Sequence, residues 1–514
     1  MSNEISFEHI VPELVLMAVA LLVFLLAGLR RPSGKGRGLV FAGLTLAALG
    51  GALFALVLYL DTGYQGLACL NGGCKLFFGL IAVDPFSVFF RGLILVAAAI
   101  GVLLAIGSKS LPRERVGEYH GLLLVMTLGM CLLASADHLL MIYVSLETVS
   151  LCSYLLTGWQ AGRNRSHEAG LKYVLYGGVA SAVMLFGMSL LYGLFGELSL
   201  HGIQAGLSRS PMLESPAGVW ALSVSLVLIL AGLGYKVAAV PFHMWCPDVY
   251  QGAPTPFTAL LSVAPKVAGF AVLMRFLYAS FLVAGSMSTT VRAAQRLPFE
   301  VLIGVISVLT MTLGNLSAIA QSNVKRLLAY SSIAHAGYLF MGVTAGGKEG
   351  FFAVALYLSI YLIMNLGAFA VVAQVEHSTG SEDMASFRGL GRRAPWLAVM
   401  MSIFLFSLVG LPPTAGFVGK LFLFSSLIQR GGFWYLVLAL AGILNSVISL
   451  YYYSRILRTM YFDPAVDSDS EPAPFIPLKP TVAVAALLAV ATLFFGLFWQ
   501  PLALAAQWSA LLFH

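Results

Sequence analysis

Apolar runs of about twenty residues, each long enough to cross a hydrocarbon layer of about 30 Å at about 1.5 Å per residue, recur along this whole chain. Fourteen are read, at roughly residues 9–29, 38–60, 78–106, 119–135, 138–158, 169–195, 218–245, 256–283, 300–320, 324–344, 351–375, 394–428, 433–457 and 480–506. The fold class they imply is an all-α integral membrane protein in which each run is a helix lying in the lipid bilayer. Composition agrees, since only 10% of the 514 residues are charged, against about 25% in an ordinary soluble domain. The first run, VPELVLMAVALLVFLLAGL, follows Glu4 and Glu8 and is closed by Arg30 and Arg31. A cleavable signal peptide has the reverse order, with its basic region first, so the run is expected to remain as span 1.

The net charge of +7 does not point to nucleic acid, because the basic residues are scattered among short loops. They report orientation instead. With the N-terminus outside, 18 of the 29 Lys and Arg residues fall in cytoplasmic loops, 6 in outer loops and 5 (Arg91, Lys236, Lys266, Arg275 and Lys420) within spans. By the positive-inside rule both termini are expected on the outer side of the membrane.

Several chemistries find no footing. The GKGRG run at Gly34 to Gly38 lacks the strand and helix that a phosphate loop joins. Neither a dinucleotide fingerprint nor a nucleophile elbow is present, so no cofactor is expected in this chain and neither NADH nor flavin should bind to it. His243, Cys246 and Asp248 lie close in sequence, but no second cluster completes a four-ligand metal site. The five cysteines form no CxxC pair. Cys69 and Cys74 share one loop and are either a small disulfide or two free thiols, while Cys131, Cys152 and Cys246 read as small buried residues.

The ionisable residues inside the spans carry the functional argument, since each must face protein or water. Glu147 lies in the middle of span 5 with no basic residue near it in sequence; Lys236 is in span 7, Lys266 in span 8 and Lys420 in span 12. A structural ion pair with Glu147 would account for one lysine but not for three. At about 2.5–3.5 kcal/mol each on insertion scales, the three together rival a typical protein's entire stability of about 5–15 kcal/mol. His243 and His335 either titrate or simply bond buried carbonyls. Arg91 and Arg275 are expected near span ends, reaching out to head groups.

Two of these spans should also be broken. Pro241 follows Lys236 by five residues, and Pro412 and Pro413 precede Lys420 by eight and seven. Proline removes a backbone donor and clashes with the preceding turn, and broken helices are tolerated in a membrane only inside protein or beside a water-filled cavity. A broken, lysine-bearing helix occurring twice suggests two inverted five-helix repeats. The expected layout is spans 1–3 at 1–118, a first repeat of spans 4–8 at 119–283, a second of spans 9–13 at 300–457 and span 14 at 480–514. The 184-residue offset between Lys236 and Lys420 carries Glu147 to 331, close to His335, but carries Lys266 only to Leu450, with Asn445 and Ser446 nearby.

Burial disfavours the charged form of an amine, so a lysine in protein interior can exchange protons near neutral pH. Two such groups about 10 Å apart, at an effective dielectric near 20, repel by roughly 1.7 kcal/mol. Protonating one therefore pushes on the next, and a row of them moves protons stepwise.

The stretches GYKVAAVPFHMWCPDVYQGAPTP, SNVKRLLAYSSIAHAGY and GLPPTAGFVGK resemble signature segments of the antiporter-like membrane subunits of respiratory complex I and of related multisubunit cation/proton antiporters. The resemblance runs from about span 2 to span 14. It implies proton translocation driven by NADH-to-quinone electron transfer in other subunits, which hold the FMN and iron–sulfur clusters, and it implies other membrane subunits as partners. It matches the family's titratable positions to Glu147, Lys236, Lys266 and Lys420, with His335 fitting span 10 better than Lys325, which lies near the cytoplasmic surface. Because Lys420 lies beyond the Pro412–Pro413 break, toward the outer face in the orientation set by the basic loops, it is expected to be the exit-side site of the second half. A subunit of a cation/proton antiporter is the alternative. A free-standing solute carrier ranks last, because the spans offer little polarity beyond the protonatable row.

Overall fold

The computed structural model describes residues 9–29, 36–59, 74–209, 215–282, 299–464 and 477–512. Among them are nineteen α-helices and a single two-stranded hairpin. The first helices are α1 (Val11–Leu29) and α2 (Arg37–Leu58), followed by strands β1 (Cys74–Leu76) and β2 (Ile81–Val83), paired antiparallel. Then come α3 (Pro85–Ala105), α4 (Val116–Ser135), α5 (Leu139–Thr157), α6 (Asn164–Phe195), α7 (Leu200–Arg209), α8 (Pro216–Val237), α9 (Trp245–Gly252) and α10 (Thr255–Leu277). The chain continues with α11 (Phe299–Ile319), α12 (Val324–Ala345), α13 (Gly347–Thr379), α14 (Leu390–Arg393), α15 (Pro395–Val409) and α16 (Ala415–Arg430). It ends with α17 (Phe433–Tyr461), α18 (Lys479–Leu497) and α19 (Gln500–Ser509).

Every expected span is met by a helix or by two helices separated by a break. Among the described residues twelve helices are long and apolar enough to cross a membrane. The two expected spans outside that set are informative. Span 10 is α12, whose KR and SS pairs and His335 make it too polar; span 12 is divided into α15 and α16, each too short alone. Span 7 likewise divides into α8 and α9. Span 3 begins later than its apolar run suggests, at Pro85. There Asp84 and Ser87 form a reciprocal capping box, Ser87 N to Asp84 Oδ1 at 2.7 Å and Asp84 N to Ser87 Oγ at 3.0 Å, which satisfies donors a helix start leaves free. The preceding residues turn back as the β1–β2 hairpin.

Three helices have no lipid-facing side, α12 among them, buried along its length apart from Arg326 and Tyr330. All of α10 is buried, and nearly all of the membrane-length part of α13 is too. Around them α10 packs against α3, α4, α8 and α13, while α13 packs against α12, α15, α16 and α18. By contrast α1, α6 and α17 present long apolar stripes outward, including Leu25, Leu175 and Val447. Polar side chains can therefore sit at the centre on α10, α12 and α13 without meeting hydrocarbon.

The two in-span arginines do not reach for head groups. Arg91 is buried and paired with Glu13 of α1, its Nε donating to Oε1 at 2.8 Å. Arg275 is buried and bidentate on Asp84, Nη1 to Oδ2 at 2.7 Å and Nη2 to Oδ1 at 2.9 Å. Acids far away in sequence provide what their own helices lack, so local position misled the reading. The possible Cys69–Cys74 pairing involves Cys69, which lies outside the described residues; Cys131, Cys152 and Cys246 are free and buried.

Candidate functional site

The polar row begins at the first break. Helix α8 ends at Val237, Ala238 turns left-handed at φ 60°, and the chain resumes as α9 at Trp245. Pro241 lies between them. Freed carbonyls at the end of α8 are taken up locally: Ala239 N donates to Gly234 O at 2.8 Å and the Trp245 indole to Tyr235 O at 3.1 Å. The turn is pinned to α11 by Val240 N donating to Thr310 Oγ1 at 3.1 Å. Lys236, 2% exposed, reaches away from the break and donates to Ser150 Oγ at 3.1 Å. Glu147 is one turn before Ser150 on α5, and residues three apart share a helix face. It makes no ion pair with Lys236, however; it is half-buried, with Oε1 making no hydrogen bond. The hydrogen bond of the ammonium goes to a serine at the same helix face. His243 is buried in the turn with Nδ1 unbonded, and no hydrogen bond joins it to the lysines.

Lys266 follows Pro265 in the interior of α10 and donates to Ser332 O on α12 at 2.5 Å. The Ser332 hydroxyl also meets Tyr250 Oη at 3.2 Å. The next group, His335, lies less than one turn further along α12. Its Nδ1 lies 2.6 Å from Tyr357 Oη of α13, and its Nε2 3.4 Å from Tyr453 Oη of α17, which is 2.5 Å from Ser331 Oγ. Lys325 is not at a wet surface: it is buried, and its ammonium donates to Ala253 O at 2.7 Å.

At the second break α15 ends at Val409 and α16 starts at Ala415, with Pro412 and Pro413 between. Here the freed carbonyls go to the lysine. Lys420 Nζ donates to Val409 O at 2.7 Å, Leu408 O at 3.1 Å and Ser446 Oγ at 2.8 Å, and it lies 4.6 Å from the Tyr338 ring centroid. A helix C-terminus carries roughly half a negative charge, so α15 favours the cation without any acid. Gly410 is required beside it, since its φ is 89° and a Cβ there would lie 2.8 Å from Lys420 Cδ.

The interior is more polar than its apolar sequence suggested. Asn315 Nδ2 donates to Asn445 O at 3.0 Å and to Tyr338 Oη at 3.2 Å, while Tyr452 Oη donates to Asn315 Oδ1 at 3.0 Å. Sequence reasoning missed Asn315, Tyr338 and Tyr452 and also Ser150, Ser332, Tyr357 and Tyr453, and met Asn445 and Ser446 only as neighbours of the position that the repeat offset gives for Lys266. The available signal was a run of hydroxyl residues on α12 and α17, but uncharged polar residues do not advertise themselves as a site. His243, Cys246 and Asp248 do not converge: Asp248 binds Lys172 at 2.7 Å and pairs with Arg326 at the rim, while Cys246 Sγ faces Ala329 O at 4.0 Å. Among the described residues no three His, Cys, Asp or Glu side chains are grouped to hold a metal ion.

Comparisons with known proteins agree on one family. Residues 136–449 match the family described as NADH:quinone oxidoreductase/Mrp antiporter, TM. NADH-quinone oxidoreductase subunit N of Anaeromyxobacter sp. (strain Fw109-5) is 49% identical over 444 residues, covering 83% of this chain and 84% of that one. NADH-quinone oxidoreductase subunit N 2 of Sorangium cellulosum (strain So ce56) is 47% identical over 510 residues, covering 98% and 96%. Among solved structures, a chain of respiratory complex I from Thermus thermophilus with bound aureothin superposes with a TM-score of 0.73 at 32% identity, covering 96% of this chain and 98% of that one.

Proposed function

Because this chain belongs to the NADH:quinone oxidoreductase/Mrp antiporter membrane family, we propose that it is the N-type, proton-translocating membrane subunit of a bacterial NADH:quinone oxidoreductase. Protons pass along Glu147, Lys236, Lys266, His335 and Lys420, with His243 beside the first break, while electrons move from NADH to quinone in other subunits. Other membrane subunits of the complex flank it in the inner membrane, and both termini face outward. Two repeated units, spans 4–8 and 9–13, each supply one broken, lysine-bearing helix.

One contrast carries this reading. Each of the two buried arginines has a carboxylate partner, Arg91 with Glu13 and Arg275 with Asp84. The buried lysines have none within ion-pair distance: Lys236, Lys266, Lys325 and Lys420 rest on hydroxyl or carbonyl oxygens. Arginine stays charged at every working pH and must be neutralised when buried. A neutral oxygen accepts a hydrogen bond from an amine and from an ammonium alike, so a lysine on such oxygens can change its charge in place. The arginines are built to stay charged and the lysines to titrate.

The test compares the two classes. In inverted membrane vesicles, with NADH-driven proton uptake normalised to assembled complex, Lys420→Met should assemble and fail to pump, and electron transfer should slow with it. Lys420→Arg should fail too, because its charge cannot leave. Arg275→Met should instead reduce assembly, since Asp84 left alone in the interior costs about 3–5 kcal/mol. Normal pumping by Lys420→Met would refute the proton-site reading. A complex that exchanges cations for protons and does not oxidise NADH would favour the antiporter alternative.

A further inference from the structure

His335 is bonded through both ring nitrogens to phenol hydroxyls from two different helices. Tyr453 Oη of α17 is 3.4 Å from Nε2 and Tyr357 Oη of α13 is 2.6 Å from Nδ1. A neutral imidazole has one N–H and one bare nitrogen. One hydroxyl must therefore donate into the ring while the other accepts from it, and the pair defines a direction through the imidazole. The chain extends beyond Tyr453, whose hydroxyl meets Ser331 Oγ at 2.5 Å. All four members are interior: Ser331, Tyr357 and Tyr453 are no more than 1% exposed and His335 is 2% exposed.

Its ends lie beside the two lysines. Ser331 adjoins Ser332, whose carbonyl holds Lys266. Tyr357 lies directly against Gly419, where a Cβ would approach its ring to 2.6 Å, and the next residue is Lys420. A structural core could satisfy a buried histidine with one bond to a carbonyl. Here two titratable hydroxyls and a serine are strung through it instead, between groups that rest on neutral oxygens.

We propose that Ser331, Tyr453 and Tyr357 are proton-relay residues that, with His335, connect the Lys266 and Lys420 sites. This inference rests on the proton-translocating reading above. The transfer balances atom by atom. Ser331 O–H passes a proton to Tyr453 Oη, which releases its own to His335 Nε2. The imidazolium so formed gives Nδ1–H to Tyr357 Oη, and Tyr357 releases its former proton on the Lys420 side. Ser331 is reprotonated from the Lys266 side, so one proton enters and one leaves. His335 ends as the opposite neutral tautomer, protonated on Nε2 and bare on Nδ1, and the first tautomer is restored when one water takes the Nε2 proton and another delivers a proton to Nδ1, with no net change of charge.

The experiment uses the intact complex in inverted vesicles, comparing Tyr453→Phe, Tyr357→Phe and Ser331→Ala with wild type and with Lys420→Met. Phenylalanine keeps each ring and removes the hydroxyl. NADH-driven proton uptake per assembled complex should fall tenfold or more in both tyrosine variants. The solvent deuterium isotope effect on uptake should rise, because proton transfer becomes limiting; a purely structural defect lowers the amount of complex and leaves that effect unchanged. If one phenylalanine variant does not assemble, the other and Ser331→Ala report on the same chain. Wild-type uptake and isotope effect in the variants that assemble, with Lys420→Met inactive, would overturn the relay alone. Wild-type uptake in Lys420→Met as well would overturn the underlying reading.

Discussion

Spans 7 and 12 are both broken near a lysine, yet they hold the ammonium by opposite means. Helical side chains lean toward the N-terminus of their own helix. Lys236 precedes its break, on the last turn of α8, so it leans away from the freed carbonyls and across to Ser150 on α5. Lys420 follows its break, on α16, so the same lean carries it back onto Leu408 O and Val409 O at the end of α15. The carbonyls of the first break are occupied by Trp245 and the turn's own backbone. Those of the second form the cation site. The Lys236 ammonium thus rests on a side chain one turn from the Glu147 carboxylate, whereas Lys420 rests on fixed backbone dipoles and a serine hydroxyl. The carbonyls freed by a break hold the ammonium here only where the lysine lies on the C-terminal side of that break; where it lies before the break, another helix provides the acceptor.

The comparison can be broken most severely at Gly410. Gly410→Ala places a Cβ at φ 89° and 2.8 Å from Lys420 Cδ, and left-handed strain with overpacking should cost about 2–4 kcal/mol. Thermal unfolding of the purified complex should show the loss, together with a larger loss of proton uptake. Next in size, Glu147→Gln should slow proton uptake about tenfold, equal to ~1.4 kcal/mol, by removing the carboxylate on the Lys236 side. An unchanged rate would mean that Lys236, like Lys420, works without an acid. Smaller again is the serine pair. Ser150→Ala removes the hydrogen bond that holds Lys236 among the described residues and should slow uptake roughly fivefold at ~1 kcal/mol. Ser446→Ala leaves Lys420 two carbonyls and should cost less than about threefold; equal effects would dissolve the contrast. The smallest change is Ala238→Gly. The first break already carries a residue with a Cβ at φ 60°, so relief of strain and loss of a buried methyl should cancel to within about 1 kcal/mol in thermal unfolding.

Much of the site was readable before any coordinates, for a physical reason. A charge in an apolar run is so costly that Glu147, Lys236, Lys266 and Lys420 stand out from their neighbours, and prolines at 241, 412 and 413 mark the breaks. The arginines stood out in the same way and were misassigned, because their partners, Glu13 and Asp84, are 78 and 191 residues away. Lys325 was placed near the surface from its position at a helix start, although α9 and the turn at Ala253 cover it. Serine, asparagine and tyrosine cost little in a membrane helix, so nothing in the sequence distinguished Ser150 or Tyr453 from filler.

The sequence by itself determined that this is a membrane protein of about fourteen spans, which runs carry ionisable groups and where the backbone must break. These follow from transfer energies and proline geometry, which are local. Tertiary structure alone decided which oxygen each lysine meets, that the arginines are neutralised and the lysines are not, and that His335 is bonded on both sides by hydroxyls. Hydrogen bonds and ion pairs between helices depend on which faces pack together. In a chain whose helices are nearly all apolar, hydrophobic pattern is almost the same on every face and cannot specify that choice; the close packing of α10, α12 and α13 does.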